Sequence, residues 1–274
     1  MTVAATGTPA REALQGATDA LAAAGVGSPR LDAELLLCDA SGWDRARLAS
    51  EPDAAVEGAA GREFAANVRR RLRREPLAYI TGRKGFRRIE LAVDPRALIP
   101  RPETELLVEV ALELTPATVL DAGTGSGAVA LAIADELPHA AVTATDTSAG
   151  ALDLARHNAE RLGLSDRVRF LPGTVPEGEF DLLLANLPYI ATGEWDGLQP
   201  EIREFEPREA LLAGEDGLDE IRALLAVRPR ARAIALEVGA GQAPIVAELV
   251  REAGFSRVES RTDLSSIERV VIGR

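Results

Sequence analysis

Val119-Leu120-Asp121-Ala122-Gly123-Thr124-Gly125-Ser126-Gly127 reads as a strand, a glycine turn and the start of a helix. The glycines permit tight dihedrals and close backbone approach, and the helix start offers free N–H groups. An open α/β sheet builds a nucleotide-type site in this way. A plain structural turn is the competing reading. The spacing also satisfies Gly-x-Gly-x-x-Ala with Ala128 last, so the glycines alone leave a nicotinamide nucleotide open as the ligand.

Outward from this stretch, helix and strand alternate. Periodicity predicts helices over 103–114, 127–136, 148–162, 217–227 and 242–253. It predicts strands over 117–121, 141–145, 167–171, 180–185, 232–238, 256–260 and 268–273. Such alternation implies an α/β fold, a mostly parallel sheet with helices on both faces. Only Arg261 to Ile267 join the last two strands, too few for a helical crossover, so these strands pair antiparallel. A seven-stranded, Rossmann-like sheet with one antiparallel strand resembles the plan of class I methyltransferases.

Upstream the pattern changes. Residues 1 to about 8 read as frayed. From Ala10 to about Arg74 apolar residues recur at helical spacing, broken at Gly27-Ser28-Pro29, as in a small helical bundle. Gly85 to Val93 alternates in part, and Pro95, Pro100 and Pro102 punctuate the residues after it, as in a short β-hairpin linker. The expected domains are an N-terminal helical one (1–75), the hairpin linker (76–102) and the catalytic one (103–274).

Two carboxylates sharpen the ligand. Asp146 ends Thr143-Ala144-Thr145-Asp146, the second strand, where a carboxylate accepts both ribose hydroxyls. Its alternative is an N-cap for the helix beginning near Ser148. Asp121 ends the first strand, where it would repel a dinucleotide's pyrophosphate. It suits S-adenosyl-L-methionine, which carries a sulfonium and an ammonium group but no phosphate.

Asn186-Leu187-Pro188-Tyr189 comes after the fourth strand, at the end where open α/β sheets bind ligands. An ordinary turn is the bland reading. The chemistry says more. An amide nitrogen is a poor nucleophile because its lone pair is delocalised. Two acceptors, the Asn186 side-chain carbonyl and the Leu187 backbone carbonyl, hold an NH2 group and aim that lone pair at a methyl donor. Pro188 restricts Leu187 to extended dihedrals and brings no N–H. Tyr189 is a flat wall for a planar amide or base. Positioning then supplies most of the rate.

Composition sets outer bounds. A net charge of -12 argues against a general nucleic-acid binder. Arg62 to Arg88 is a local exception, with ten basic residues against two acidic. It reads either as a solvated helix face or as a docking surface for an acidic partner or RNA. Cys38 sits in an apolar helical run and reads as core packing; no metal-ligating or disulfide spacing exists, which fits a reducing cytoplasm. His139 and His157 are the only histidines and form no triad, and no apolar stretch is long enough for a membrane span.

Beyond the motifs, the whole chain resembles the protein-(glutamine-N5) methyltransferases that modify peptide chain release factors. Pro76-Leu77-Ala78-Tyr79-Ile80-Thr81-Gly82, Leu98-Ile99-Pro100-Arg101-Pro102-Glu103-Thr104-Glu105, Glu206-Pro207 with Gly214 to Leu218, and Glu237-Val238-Gly239 with Gln242 carry the likeness. The resemblance implies that Gly123, Thr124, Gly125, Ser126, Gly127 and Asp146 bind S-adenosyl-L-methionine. It implies that Asn186 touches both cofactor and substrate, while Leu187, Pro188 and Tyr189 frame the glutamine amide. It further implies a helical domain that holds the release factor, and a cytoplasmic monomer acting without membrane or direct nucleic-acid contact. Arg101 and Thr104 either close the cofactor pocket or serve helix initiation.

Three positions depart from the family pattern. Leu187 replaces the first proline of Asn-Pro-Pro-Tyr and adds an N–H. Gly173-Thr174-Val175 stands where many relatives have an acidic and an aromatic residue near the adenine. Asp263 to Arg269 matches the closing segment loosely. Other readings stand beside the leading one. Asn-Leu-Pro-Tyr is also the spelling of ribosomal RNA adenine dimethylases, which append helices after the catalytic domain instead of before it. A glutamine methyltransferase for a ribosomal protein and a non-catalytic binding module complete the set.

Overall fold

A computed structural model describes Gly7–Arg274. The fraying expected of residues 1–6 lies outside the described residues. Thr8, the last residue of that expectation, instead pairs with Val56 in an antiparallel bridge of Thr8–Pro9 with Ala55–Val56. The chain forms two compact units. One holds the described residues through Gly82 together with Gln199–Phe205; the other holds Arg83–Leu198 and Glu206–Arg274.

The first unit is helical. Its helices are Ala10–Ala23, Pro29–Ser41, Arg45–Ser50, Gly58–Leu72 and Leu77–Thr81. Helical spacing puts Ala10, Leu14, Ala17 and Leu21 on one face, and this face packs with Leu36, Leu37, Phe64 and Ile80. Pro29 opens the second helix at its first turn, and Gly42, left-handed at φ 69°, closes it. Cys38 packs against this core.

The arginine run is neither the solvated face nor the docking surface through its middle. Arg71, 6% exposed, donates to Asp32 at 2.7 Å and to Glu201 at 2.9 Å. Arg74 grips Glu201 with two donors at 2.8 and 2.6 Å. Arg70 pairs with Glu75. Arg70 and Arg71 lie in the last turn of the helix and Arg74 follows it at a left-handed φ of 66°, whereas Arg62, Arg69 and Arg73 are exposed.

The second unit contains a seven-stranded sheet. Its strands, numbered along the chain, are β1 Thr118–Ala122, β2 Ala141–Asp146, β3 Val168–Pro172, β4 Phe180–Ala185, β5 Ala231–Glu237, β6 Val258–Thr262 and β7 Glu268–Gly273. Their spatial order is β6-β7-β5-β4-β1-β2-β3, and β7 alone runs antiparallel to its neighbours. This is the sheet expected of the α/β class. Alternation sorts the strand side chains. Leu120, Leu183, Ile234 and Leu236 face a core shared with helices Asp219–Ala226 and Ala243–Glu252. Asp121, Leu184, Ala235 and Glu237 fall on the other pleat, and helix Glu105–Leu114 packs over β4, β5 and β7.

Two local differences from expectation lie beside the carboxyl edge of the sheet or in the segment leading from it. The helix expected from 103 begins at Glu105, preceded by a 3₁₀ turn over Pro102–Thr104. Between 190 and 212, where periodicity marked no element, short turns lie at Thr192–Gly197, Pro200–Phe205 and Arg208–Ala210. They are too short for an apolar stripe to register.

Replacing Arg71 with Met leaves Asp32 buried without its partner and Glu201 with Arg74 alone. Stability of the helical unit is expected to fall by roughly 3 kcal/mol. Urea unfolding followed by Trp43 fluorescence in a Trp195→Phe background measures it; an unshifted midpoint contradicts a buried, paired role for Arg71.

Candidate active site

The register builds the site. Ala122 pairs with Ala185, and Ala185 pairs with Leu236, so the next residues, Gly123, Asn186 and Glu237, form a row at the carboxyl edge of β1, β4 and β5. Two sequence motifs more than sixty residues apart are thereby neighbours.

The glycine loop is held from below. The N–H groups of Gly123 and Thr124 both donate to the Thr145 carbonyl at 2.8 Å. Asp121 accepts from the Thr124 hydroxyl at 2.6 Å and from the Ala130 N–H at 3.1 Å. It is 1% exposed, and burial pushes its carboxyl up to about 6. Asp121 therefore does not confront a ligand, as its charge suggested; it pins the loop to the helix Ala128–Glu136. Asn158, fully buried, donates to the carbonyls of Ser126 and Ala92 and accepts from the Ala92 N–H. It thus ties the loop to the hairpin of Arg83–Phe86 and Ile89–Ala92.

Gly123 has φ 77°, and a Cβ there would lie 2.9 Å from Leu187 Cδ2. Gly127 has φ 86°, and a Cβ there would press on Leu131 and Ala155. The first glycine admits the target motif; the last lets helix Ala149–Leu162 pack close.

Asp146 accepts from the Gly125 N–H at 2.9 Å with one oxygen and from the Ser148 N–H at 2.8 Å with the other. Each oxygen keeps a lone pair for a ribose hydroxyl. Ser148, not Asp146, is the N-cap, accepting from the Ala151 N–H.

Above these groups lies a cavity of about 440 Å³. Small-molecule sites fall in the range of roughly 300–1,000 Å³. Gly123, Gly125 and Asp146 form its floor, and Asn186, Leu187 and Pro188 one wall. Gly173 and Thr174 line the far end, and Leu98, Ala223 and Leu224 give an apolar surface. No aromatic residue among those described lines it. Thr124, Ser126 and Gly127 are buried behind the floor and do not line the cavity. Tyr189 also lies off the cavity, its ring against Gly239 and its carbonyl accepting from Gln242 at 2.9 Å. Burial pushes the Tyr189 hydroxyl up to about 12, so it is neutral at working pH.

The target motif has an ordered supporting shell. Asn186 Nδ2 donates to Thr104 Oγ1 at 3.0 Å. Among the described residues, nothing is hydrogen-bonded to the Leu187 N–H or to its carbonyl. The Leu187 side chain instead packs on Gly123 and on the core beneath. Glu206 is 6% exposed and accepts from the Ile99 N–H at 3.1 Å and from Arg101 at 2.5 Å. Neither Arg101 nor Thr104 lines the cavity. Both brace it from behind, one through Glu206 and the other through Asn186.

Sequence reasoning missed Asn158, and gave Glu206 and Glu237 no role. Asn158 had a signal, a polar residue in register with the buried Ala151, Leu154 and Ala155 of its helix. The glutamates had none before the register was known.

The site suits S-adenosyl-L-methionine. It offers a glycine floor, two free lone pairs on Asp146 and an apolar wall for a ring, and Arg96 on its lining is held by Asp94 at 2.6 Å.

Residues 12–82 match the PrmC N-terminal domain family, and residues 102–198 match the methyltransferase small domain family. The release factor glutamine methyltransferase of Geobacter sulfurreducens is 42% identical over 264 residues, 93% of this chain and 92% of that protein. The one from Nitratidesulfovibrio vulgaris is 41% identical over 276 residues, 95% and 93% respectively. The one from Xylella fastidiosa is 44% identical over 266 residues, 93% and 96%. Among solved structures, the hMettl16 catalytic domain in complex with a MAT2A 3′UTR hairpin has a TM-score of 0.55 at 17% identity, over 67% of this chain and 74% of that one. A methyltransferase from Pyrococcus furiosus has a TM-score of 0.50 at 19% identity, over 67% and 87%. At these identities the two structures speak to the fold alone.

Gly123→Ala is expected to weaken S-adenosylhomocysteine binding by about tenfold or more, since the left-handed backbone alone costs roughly 1–2 kcal/mol. Titration calorimetry reads this. Leu187→Pro, which deletes an unbonded N–H, is expected to bind within about threefold of wild type.

Proposed function

The chain belongs to the release factor glutamine methyltransferases, and from that membership we propose its reaction: methyl transfer from S-adenosyl-L-methionine to the side-chain amide nitrogen (N5) of a release-factor glutamine. The glutamine is that of the Gly-Gly-Gln motif, and its methylation tunes translation termination. The observation that carries the site assignment is the orientation of Asn186. Its Nδ2 is spent on Thr104, which leaves Oδ1 as an acceptor beside the unbonded Leu187 carbonyl.

When bound, S-adenosyl-L-methionine supplies an electrophilic methyl carbon on a sulfonium. Gly123, Gly125 and Asp146 would hold it, the glycines by backbone approach and Asp146 by its free lone pairs, with Thr124, Ser126 and Gly127 shaping the loop from behind. Asn186 would touch both cofactor and substrate. The substrate's two amide hydrogens go to Asn186 Oδ1 and the Leu187 carbonyl, which turns the nitrogen lone pair out of conjugation and toward the methyl group. Pro188 keeps the Leu187 carbonyl directed. The neutral Tyr189 contributes a flat wall and no charge. Fixed acceptors of this kind stabilise positive charge as it develops on the nitrogen.

Residues 1–75 serve as the docking domain, and 76–102 link them to the catalytic residues 103–274. A lone cysteine packed against a core is compatible with a cytoplasmic setting. No helix among the described residues is long and apolar enough to cross a membrane. The spelling Asn-Leu-Pro-Tyr supports RNA adenine as a second reading.

Labelled S-adenosyl-L-methionine separates the readings when offered with a release factor, its Gln→Ala variant, or ribosomal RNA. Label is expected in the intact release factor alone; label in RNA, or equally in the Gln→Ala variant, defeats the proposal. Asn186→Ala is expected to lower turnover on the order of a hundredfold while cofactor affinity changes by less than about tenfold. Undiminished turnover in that variant removes Asn186 from the mechanism.

A further inference from the structure

The β6–β7 hairpin turns through Asp263-Leu264-Ser265-Ser266-Ile267, a segment with no part in the reaction. Leu264 is fully exposed there, the most open of the large apolar side chains among the described residues. A lone exposed leucine is commonplace on a protein surface. This one differs in how it is mounted and where.

The mount is stiff. One oxygen of the Asp263 carboxylate accepts from the Ser265 N–H at 2.8 Å and from the Ile267 N–H at 3.0 Å. The other accepts from Arg269 Nε at 3.0 Å. The Asp263 N–H donates to the Ile267 carbonyl at 2.9 Å, and the Ser266 N–H to the Asp263 carbonyl at 3.0 Å. Ser266 stands at φ 60°, a left-handed backbone that a serine adopts only at a cost. The turn thus holds Leu264 in water, where its apolar surface adds nothing to the stability of this chain.

The place is the rim of the candidate site. Glu237 lies level with Asn186 at the carboxyl edge of the sheet, and its partner on β7 is Val270. The Val238 N–H donates to the Arg269 carbonyl at 2.8 Å, so β7 continues past that edge before it reaches the turn. The turn rises from the same edge as the target motif, with β5 between them. Two strand spacings separate β4 from β7, about 10 Å, and the climb from Val270 to the tip adds about as much, which puts Leu264 on the order of 15 Å from Asn186. A standard protein interface covers about 800 Å² of each partner, a disc of about 16 Å radius. A glutamine carried on a protein cannot reach Asn186 without its carrier covering this rim, and Leu264 falls within that footprint.

We propose that Leu264 is a docking contact for the release factor, an apolar knob that seats against nonpolar surface flanking the glutamine to be methylated. The inference rests on the release-factor reading of the site. Leu264 takes no part in the chemistry. Because its turn is already ordered, seating it removes a leucine from water at little cost in conformational freedom.

Two measurements on the full-length chain test this. With benzoylphenylalanine in place of Leu264, irradiation in the presence of release factor is expected to join the two proteins. A cross-link that goes to a second copy of the chain, or none at all, overturns the proposal. In steady-state methylation, Leu264→Ser is expected to raise KM for release factor about tenfold, as the loss of an interface anchor does. Its kcat and its affinity for S-adenosylhomocysteine stay within about threefold of wild type. Leu264→Met keeps an apolar side chain and returns KM to within about threefold of wild type. An unchanged KM in Leu264→Ser overturns the proposal, and so does a rise that appears only alongside lost cofactor affinity. Wild-type enzyme that fails to label the release factor defeats the functional reading instead, and that control precedes every variant.

Discussion

Leu187 occupies the space that a side chain on Gly123 would need. This single close approach makes the glycine loop and the target motif one object. Neighbouring parallel strands deliver the two segments side by side, but strand spacing alone does not let a leucine lie on a turn. Removing the β-carbon does. The loop's other supports meet the same demand. Asp121, Asn158 and the Thr145 carbonyl hold it down from beneath, because its upper surface is given over to Leu187 and the cavity.

Much of this was legible in the chain itself. Strand and helix alternation, the reversed last strand and the carboxyl-edge position of Asn186 all derive from periodicity and connection length, which are local. Asp121 was legible as a residue but not as a role. Its position at a strand end suggested a group facing a ligand; the pleat turned it inward, where two donors and a dry environment received it. The arginine run failed for the opposite reason. Counting charge assumes that partners are near in sequence, and Glu201, which takes Arg71 and Arg74, is 127 or more residues away. In the sequence, Leu187 is a departure from proline that adds an N–H in need of a partner. The structure gives it an apolar footing instead, and leaves its N–H with no acceptor among the described residues.

Asp121 and Glu237 stand on the same pleat face at two strand ends, both buried and both with elevated proton affinity. Their surroundings differ in one respect. Asp121 receives two donors and is a fastener. Glu237 keeps Oε2 bare, with no hydrogen-bond partner among the described residues.

The helical unit is discontinuous in sequence, and this has a temporal consequence. Glu201 is made 130 residues after Arg71. At ordinary bacterial elongation speeds that interval is roughly 7 to 26 seconds. Through it Arg71 holds Asp32 alone, and Arg74 lacks the carboxylate that grips it in the finished fold. The motif Asn186 to Tyr189 emerges just before the segment that closes the cluster. Biosynthesis thus brings out the Asn186 motif and the Glu201 segment almost together, before β5, β6 and β7 of the sheet have been made.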